Sequence, residues 1–136
     1  MPEIAKPVPP ITPEMAPFFD GCRHQRLMIQ RCDACGTLRF PAREQCAHCL
    51  STTSSWVAVS GRGTVYSYNI MHQLYHPAFA AELPYAVVVI KLDEGAKFTS
   101  NLIGIKPHDI RCGMPVEVVF ERVNDDITVP KFRPRS

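Results

Sequence analysis

The chain has 136 residues and a formal net charge of +2, from 15 Lys and Arg residues against 13 Asp and Glu residues. This balance argues against a polyanion-binding protein, since affinity for phosphates depends on clustered basic side chains. No apolar run approaches the roughly 20 residues of a membrane span, and the first residues lack the basic region and apolar core of a secretory signal. We therefore expect a soluble, cytoplasmic protein in a reducing compartment.

The first 26 residues are predicted to form an arm and a short helix. Residues 7–10 are proline-rich and favour an extended backbone. Residues 12–14 read Thr-Pro-Glu, a typical helix start, and Gly21 closes the segment. The apolar face of this helix comprises Met15, Phe18 and Phe19. Two interpretations of the face stay open: it packs on the rest of the chain, or it docks into another subunit.

Four cysteines form two C-x2-C pairs that are separated by ten residues. Each pair places two thiolates at the tip of a tight turn, and two such turns supply the four soft ligands of a tetrahedral structural zinc. Alternation over 27–31 and a return over 38–40 predict strands on both sides of the first pair. We therefore predict a zinc ribbon over 27–55. The predicted zinc ligands are Cys32, Cys35, Cys46 and Cys49.

Other interpretations of the cysteines have less support. A disulfide framework needs an oxidising compartment, which the N-terminus does not indicate. A thioredoxin-like site needs one C-x-x-C in a βαβ setting, whereas this chain has two pairs and no such setting. Iron stays open from the ligands alone, because a four-sulfur site has the same geometry for both metals. His48 is interpreted as a loop residue, since four sulfurs already have the required spacing.

After a polar connector at 51–55, the pattern changes to alternation of apolar and polar residues. The predicted strands cover 57–59, 64–71, 85–92, 97–105 and 116–121, with turns at 61–63 and 93–95 and a loop rich in ring side chains at 72–84. Four to six strands with this Gly and Pro punctuation favour a small OB-like barrel over 56–136. The predicted fold class is mainly β: a short helix and zinc ribbon, then a C-terminal OB-fold barrel.

Three segments now carry a resemblance to a known family. They are Trp-Val-Ala-Val-Ser-Gly-Arg-Gly-Thr-Val-Tyr-Ser at 56–67, Leu-Pro-Tyr-Ala-Val at 83–87 and Gly-Met-Pro-Val at 113–116. Together with the zinc ribbon they resemble acyl-CoA-associated proteins that join a rubredoxin-like zinc ribbon to an OB-fold. The match runs from about Phe18 to Pro134, and the Ser-Gly-Arg-Gly-Thr-Val turn is its most specific part.

The resemblance implies an accessory subunit rather than an enzyme by itself. Members of this family accompany thiolase-fold enzymes in acyl-CoA thiolysis, acyl transfer or side-chain aldol cleavage. The implied partner is therefore a thiolase-fold subunit in a hetero-oligomer, with an acyl-CoA thioester as a further ligand. The resemblance identifies neither the partner enzyme nor the acyl chain.

An OB barrel binds extended ligands along its open face and between its loops, and a CoA thioester is such a ligand. Arg62 lies between two glycines, so its guanidinium could meet a phosphate where the bare backbone approaches closely. The predicted ligand-binding residues are Ser60, Gly61, Arg62 and Gly63. The alternative, a barrel-closing bulge with a solvated or paired arginine, is favoured slightly. The basic residues of the tail, Lys131, Arg133 and Arg135, are interpreted as a solvated end.

Independent catalysis has little sequence support. The candidate bases are His72, His76 and His108, and the thiols outside the ribbon are Cys22 and Cys112. No local signature joins them into a nucleophile, a base and an orienting group. Cys112 is predicted to be a small buried residue, and Cys22 to be inert despite its basic neighbours.

Single-stranded nucleic-acid binding is the alternative function. Zinc ribbons and OB-folds both occur in such proteins, and Trp56, Tyr66 and Tyr68 are candidate stacking platforms. The basic residues are dispersed among nearly as many acids, however, and aromatics at alternate positions of barrel strands commonly lie in the core. Nucleic-acid binding therefore ranks second.

Overall fold

The computed structural model describes residues 12–72, 77, 84–125 and 127–135. Most of the loop at 72–84, with His76, and the proline-rich arm lie outside the described residues. None of the helices within the described ranges is long and apolar enough to cross a membrane. The elements are α1 (Ala16–Arg23), β1 (Leu27–Cys32), β2 (Leu38–Arg39), β3 (Ser54–Val59), β4 (Arg62–Met71), β5 (Tyr85–Leu92), β6 (Lys97–Leu102), a 3₁₀ helix (Pro107–Asp109), β7 (Pro115–Arg122) and β8 (Thr128–Pro134).

These elements form a three-stranded sheet and a closed barrel. The sheet has the order β2-β1-β3, and the barrel has the order β4-β5-β6-β8-β7. The predicted fold class, mainly β with a short N-terminal helix, a zinc ribbon and an OB-like barrel, is confirmed.

Helix α1 begins later than predicted. The backbone N–H of Met15 donates to the carbonyl oxygen of Thr12 at 3.0 Å, so residues 12–15 form a turn ahead of the helix. Pro17 then lies in the first helical turn, where its missing N–H leaves no bond unmade. Gly21 lies inside the helix rather than at its end, and a Cβ there would meet Met28 Cγ at 2.4 Å. Glycine thus lets α1 pack closely on β1.

Strand β1 pairs on both sides in the ribbon sheet. Its partner β2 returns after the first cysteine pair, with Gln30 opposite Arg39. On the other side β3 runs antiparallel along the whole of β1. Trp56, predicted to open the barrel, therefore lies in the ribbon sheet opposite Gln30. The ribbon sheet continues past residue 55 to Val59. The division of the chain into 1–26, 27–55 and 56–136 stays a prediction.

The barrel strands show the predicted period of two. Along β5 the residues Ala86, Val88, Ile90 and Leu92 are buried, and β5 lies between β4 and β6. A bulge interrupts the pairing of β4 with β5 between Val65 and Ser67. On β7, Val116 is buried and Val118 and Phe120 pack against the core. Strand β6 is shorter than expected and ends at Leu102.

Strand β8 corrects the interpretation of the tail as a solvated end. It pairs antiparallel along β7 and meets β6 in one parallel bridge, where Leu102 lies opposite Phe132. Phe132 is fully buried. Two of the three tail cations are paired with β7: Lys131 Nζ lies 2.6 Å from Glu121 Oε2, and Arg133 Nε donates to Glu117 Oε1 at 3.0 Å. The tail therefore closes the barrel.

One hydrophobic core joins the helix, the ribbon sheet and the barrel. The ring of Phe40 lies 4.9 Å from Phe18 and 4.3 Å from Phe98, and Phe98 lies 6.0 Å from Phe132, between ring centroids. Phe18 and Phe19 are buried. The apolar face of α1 thus packs within its own chain, as the first of the two interpretations expects.

Candidate metal centre

The four ribbon cysteines converge on one point. Their sulfur atoms all lie within 4.8 Å of one another. Cys32 Sγ is 3.5 Å from Cys49 Sγ, and Cys35 Sγ is 3.7 Å from Cys46 Sγ. A tetrahedron with zinc–sulfur bonds of about 2.3 Å has edges of about 3.8 Å, so the observed spacing fits a single zinc ion. Each short contact joins the two pairs, which therefore face each other.

Both cysteine pairs are held by the same backbone turn. In the first knuckle, Cys32–Gly36, the N–H of Gly36 donates to the carbonyl oxygen of Cys32 at 2.8 Å. In the second knuckle, Cys46–Leu50, the N–H of Leu50 donates to the carbonyl oxygen of Cys46 at 2.9 Å. The final residue of each knuckle has a positive φ, 76° at Gly36 and 66° at Leu50. The two knuckles are thus local copies of one structure.

Backbone donors favour the thiolate form at the first cysteine of each knuckle. The N–H of Cys35 bonds to the sulfur of Cys32 and, as the largest effect, lowers the pKa of that thiol to about 6. The N–H of Cys49 likewise lowers the pKa of Cys46. At Cys49, the hydrogen bond from the backbone of Ser51 lowers the pKa of the thiol. The neighbouring Cys32 sulfur and burial have the opposite effect and together raise this pKa to about 12. Closely spaced sulfurs resist a shared negative charge, so this donor set suits a cation.

A buried glutamine, which was not predicted from the sequence, links the strands that carry the knuckles. Gln30 Oε1 accepts from Arg39 Nε at 2.6 Å and from the backbone N–H of Arg43 at 2.8 Å. Gln30 Nε2 donates to Ser54 Oγ at 3.0 Å. These bonds tie β1 to β2, to the segment ahead of the second knuckle and to β3. The signal that the sequence offered is a long polar residue directly after the apolar residues 27–29 of β1.

His48 does not join the cysteine cluster. His48 is exposed, and its backbone N–H donates to Cys46 Sγ at 3.4 Å. The interpretation of His48 as a loop residue therefore agrees with its placement.

The predicted ligand-binding turn, Ser60–Gly63, is tightly packed. Gly61 has φ of 77°, and a Cβ there would meet Val118 Cγ1 at 2.3 Å. A Cβ on Gly63 would meet the carbonyl oxygen of Lys91 at 2.4 Å. These contacts give both glycines a structural role where β4 meets β7 and β5.

Two polar groups of this turn have different surroundings. The backbone N–H of Ser60 donates to Glu94 Oε2 at 2.9 Å, which places a carboxylate beside the turn. Arg62 is exposed, and within the described ranges its guanidinium makes neither a hydrogen bond nor an ion pair. A ligand role for Ser60, Gly61, Arg62 and Gly63 stays a prediction.

A groove of about 640 Å³ lies between β5, β6 and the segment that follows β6. Its lining includes Tyr85, Val87, Asn101, Ile105 and Lys131, and does not include the Ser60–Gly63 turn. Asn101 Nδ2 donates to the carbonyl oxygen of Ala86 at 3.0 Å, which fixes one polar side chain of the groove. We call this feature the barrel groove.

The candidate catalytic residues that the structure describes do not form a catalytic arrangement. Cys22 is buried, and burial raises the pKa of its thiol to about 12, as expected for an inert cysteine. Cys112 is exposed, which corrects the prediction that it is buried. His72 and His108 are also exposed. Among the described residues, no hydrogen bond joins either of these thiols to a histidine.

The aromatic residues of β4 are exposed, so the alternative interpretation that they lie in the core does not hold. Tyr66 is 54% exposed and Tyr68 is 40% exposed. Lys97 Nζ lies 4.1 Å from the centroid of the Tyr66 ring. Trp56, in contrast, packs partly buried against the core. Exposed tyrosines suit either base stacking or a protein interface.

Comparison with known proteins places the whole arrangement in a family. Residues 19–54 match the family model described as "ChsH2, rubredoxin-like zinc ribbon domain", and residues 56–121 match "ChsH2, C-terminal OB-fold domain". A solved structure described as "Ltp2-ChsH2(DUF35) aldolase" contains a chain that is 42% identical, with a TM-score of 0.83, over 93% of this chain and 98% of that one.

Two curated relatives are also similar. The "Probable enoyl-CoA hydratase alpha subunit" of Thermomonospora curvata is 42% identical over 98% of this chain. The chain spans only 41% of that relative's length. The "Benzoylsuccinyl-CoA thiolase subunit BbsA" of Thauera aromatica is 32% identical over 82% of this chain and 69% of its own length. The chain therefore belongs to the ChsH2 (DUF35) family, in which a rubredoxin-like zinc ribbon precedes an OB-fold domain.

Proposed function

We propose that this chain is a non-catalytic accessory subunit of an acyl-CoA-processing complex with a thiolase-fold enzyme. The observation that carries the proposal is the 42% identity, over nearly the full length of both chains, to the ChsH2 chain of an aldolase. A relative named as a subunit of a CoA thiolase supports the same assembly. The unassembled catalytic candidates among the described residues agree with a partner that carries the chemistry.

The proposed metal is one structural zinc, held by Cys32, Cys35, Cys46 and Cys49. The sulfur spacing fits a tetrahedral zinc ion, and two of the thiols are already biased toward the thiolate by backbone N–H groups. When bound, the zinc would contribute folding free energy. Four protein ligands leave no position for a substrate, so its role here is structural.

The proposed contribution of the chain is to support the assembly and to position the substrate. The aromatic contacts from Phe18 through Phe40 to Phe98 couple the metal-held ribbon to the barrel. The barrel groove and the exposed Arg62 are two places where part of an extended acyl-CoA could bind. We propose that the barrel helps to hold or admit the thioester while the partner enzyme reacts with it.

A hydratase assembly is a second candidate, because the relative that is 42% identical is named as a hydratase alpha subunit. That relative extends well beyond the region that matches this chain. The matching region would then serve as an attached accessory part. The partner enzyme determines whether the reaction is thiolysis, acyl transfer, aldol cleavage or hydration. The identity of the partner is therefore what an experiment must establish.

The decisive experiment is affinity purification of the tagged chain from its native host, with mass spectrometry of the co-eluting proteins and metal analysis of the same sample. We expect about one zinc per chain and a thiolase-fold subunit in a stoichiometric ratio. Bound nucleic acid without an enzyme would instead support the alternative function. In that case a salt-sensitive shift of an oligonucleotide, with no response to acyl-CoA, should follow.

A further inference from the structure

Three neighbouring barrel strands bring cations together on the outer face of the barrel. Lys91 of β5 lies directly opposite Lys97 of β6 and, on its other side, opposite Thr64 of β4. Both lysines are exposed, and the residues next to them in β5 and β6 are buried. Arg62 lies two residues ahead of Thr64, on the same face of β4, and is also exposed. We call Arg62, Lys91 and Lys97 the basic cluster.

The pairing of the two lysines does not stabilise the barrel. The backbone N–H of Leu92 donates to the carbonyl oxygen of Ala96 at 2.8 Å. Hydrogen-bonded positions alternate along an antiparallel pair, so Lys91 and Lys97 fall at a non-hydrogen-bonded position, where opposite side chains are closest. Like charges directly opposite each other are destabilising. A bound anion would remove this repulsion.

Neighbouring acids do not neutralise the basic cluster. Among the described residues, none of its three cations forms an ion pair. Glu117 lies opposite Arg62 on β7, but its carboxylate accepts from Arg133 instead. Glu94, in the turn between β5 and β6, accepts from the backbone ahead of β4. Asp93 of the same turn bonds to Arg62 through its backbone, and its carboxylate pairs with no described cation.

An exposed aromatic ring borders the basic cluster. Tyr66 is 54% exposed, and Lys97 Nζ lies 4.1 Å from the centroid of its ring. Strand β5 separates β4 from β6, so this contact spans the outer face of three strands. A flat ring beside several cations suits a nucleotide, because the ring stacks with the base and the cations bind the phosphates.

The same outer face continues into the barrel groove. The next outward pairs are Val89 opposite Thr99 and Val87 opposite Asn101. Val87, Thr99 and Asn101 line the groove. At about 3.4 Å per residue, Lys97 and Asn101 are about 13 Å apart along β6. The face is therefore charged at one end and leads into a groove at the other. An acyl-CoA has the matching order, with phosphates at one end and an amide-bearing chain with its acyl group at the other.

We propose that the basic cluster binds the phosphates at the nucleotide end of an acyl-CoA and that Tyr66 supports the base. The remaining chain of the ligand then follows β5 and β6 into the barrel groove. The inference rests on the proposed function, since it takes the acyl-CoA from there. It adds Lys91 and Lys97 to the candidate ligand residues and gives the direction in which the ligand lies.

Calorimetry of the full, zinc-loaded chain with CoA tests the site. Lys91→Gln and Lys97→Gln should each weaken CoA binding about fivefold or more, because each removes a charged donor to phosphate. Lys106→Gln is the matched control, since it removes an exposed lysine outside the groove lining, and it should leave the Kd unchanged. Pantetheine, which lacks the nucleotide, should bind the wild-type chain more weakly than CoA.

Two further measurements separate a binding role from a structural one. Lys91→Gln should raise the melting temperature by about 1 °C, because it relieves the repulsion from Lys97. Tyr66→Leu should weaken CoA binding about fivefold or more, whereas Tyr66→Phe should retain the affinity, since stacking needs the ring and not the hydroxyl. A lower melting temperature for Lys91→Gln would show instead that this lysine stabilises the barrel.

Several binding results would overturn the inference. They are no CoA binding by the wild-type chain at millimolar concentration, an unchanged Kd in both lysine variants, an equal loss in Lys106→Gln, and pantetheine that binds as tightly as CoA. An oligonucleotide that binds more tightly than CoA, and loses affinity in the same variants, would assign the basic cluster to a nucleic acid. Purification without a thiolase-fold subunit would contradict the proposed function alone, because the CoA titration of the chain still decides the role of the cluster.

Discussion

At Gly61, the turn that enters the barrel leaves no room for a side chain. A Cβ would lie 2.3 Å from Val118 Cγ1, and the backbone has φ of 77°. Gly113 provides a comparison, because it has φ of 88° but nothing within 4 Å of its Cβ position. The first glycine therefore meets a steric and a conformational demand, and the second meets the conformational demand alone.

We expect Gly61→Ala to lower the free energy of unfolding by about 2–4 kcal/mol, since backbone strain adds to overpacking against Val118. Gly113→Ala should cost about 1 kcal/mol from backbone strain only. Chemical denaturation of the zinc-loaded proteins measures both values. Combining Gly61→Ala with Val118→Ala should recover part of the loss. Equal destabilisation by the two single substitutions would contradict the steric argument.

The two cysteines outside the ribbon should react very differently. Cys22 is buried with a pKa raised to about 12, so only about one thiol in 10⁴ is ionised at pH 8. Cys112 is exposed. In the zinc-loaded chain at pH 8, we expect a thiol reagent to modify one cysteine rapidly, and Cys112→Ser to abolish that fast phase. A fast phase that survives in Cys112→Ser would show that another thiol is accessible.

At the scale of elements, the metal-held ribbon and the barrel share one core. Phe40, which follows β2, contacts both Phe18 of α1 and Phe98 of β6. A ribbon of about thirty residues cannot bury a core of its own, so it relies on metal ligation and on this shared packing. Loss of order in the ribbon should therefore also lower the stability of the barrel.

We expect Cys35→Ser to reduce zinc retention, to destabilise the whole chain by several kcal/mol and to weaken complex assembly, because metal binding is coupled to folding. The unfolding transition should stay single and move to lower temperature, as measured by circular dichroism with metal analysis. Cys112→Ser is the matched control, since it removes a thiol outside the cluster. A barrel that melts at the wild-type temperature would show that the two parts fold independently, and full assembly by a zinc-free variant would contradict the role of the ribbon.

For the molecule as a whole, the proposed interaction with acyl-CoA can be tested at Arg62. Its side chain is exposed and has no hydrogen-bond or ion-pair partner among the described residues. Arg62→Ala should therefore leave the melting temperature unchanged. If Arg62 binds phosphate, the substitution should lower acyl-CoA affinity or the rate of the complex about tenfold. Arg26→Ala, which removes another exposed arginine, should change neither quantity.

Calorimetry with an acyl-CoA and steady-state rates of the assembled complex measure the two effects of Arg62→Ala. A normal affinity together with a normal rate would leave Arg62 as the solvated arginine of a structural turn. A fall in melting temperature would indicate instead that the side chain stabilises the barrel.

The local features of this protein could be predicted from the sequence because they depend on residues close together in the chain. The spacing of Cys32, Cys35, Cys46 and Cys49 predicts the cluster, and the nearly continuous run of apolar and β-branched residues over 85–92 predicts β5 with the observed bounds. The sequence does not predict β8, because Pro130 and Pro134 interrupt its strand pattern and the burial of Phe132 depends on β6 and β7. The sequence also places the helix start too early, since Thr12 caps a turn ahead of α1.

The family resemblance, the metal-binding pattern and most of the individual strands follow from the amino-acid order alone, because ligand spacing, turn residues and runs of β-prone residues are local properties. Three features emerge only once the chain is folded: the ribbon and the barrel share a core, Gly61 is confined by Val118, and Leu50 is exposed in a backbone conformation that favours glycine. Each of these depends on which distant segments meet, or on which side chains they leave uncovered. The amino-acid order alone specifies neither which distant segments meet nor which side chains they leave uncovered.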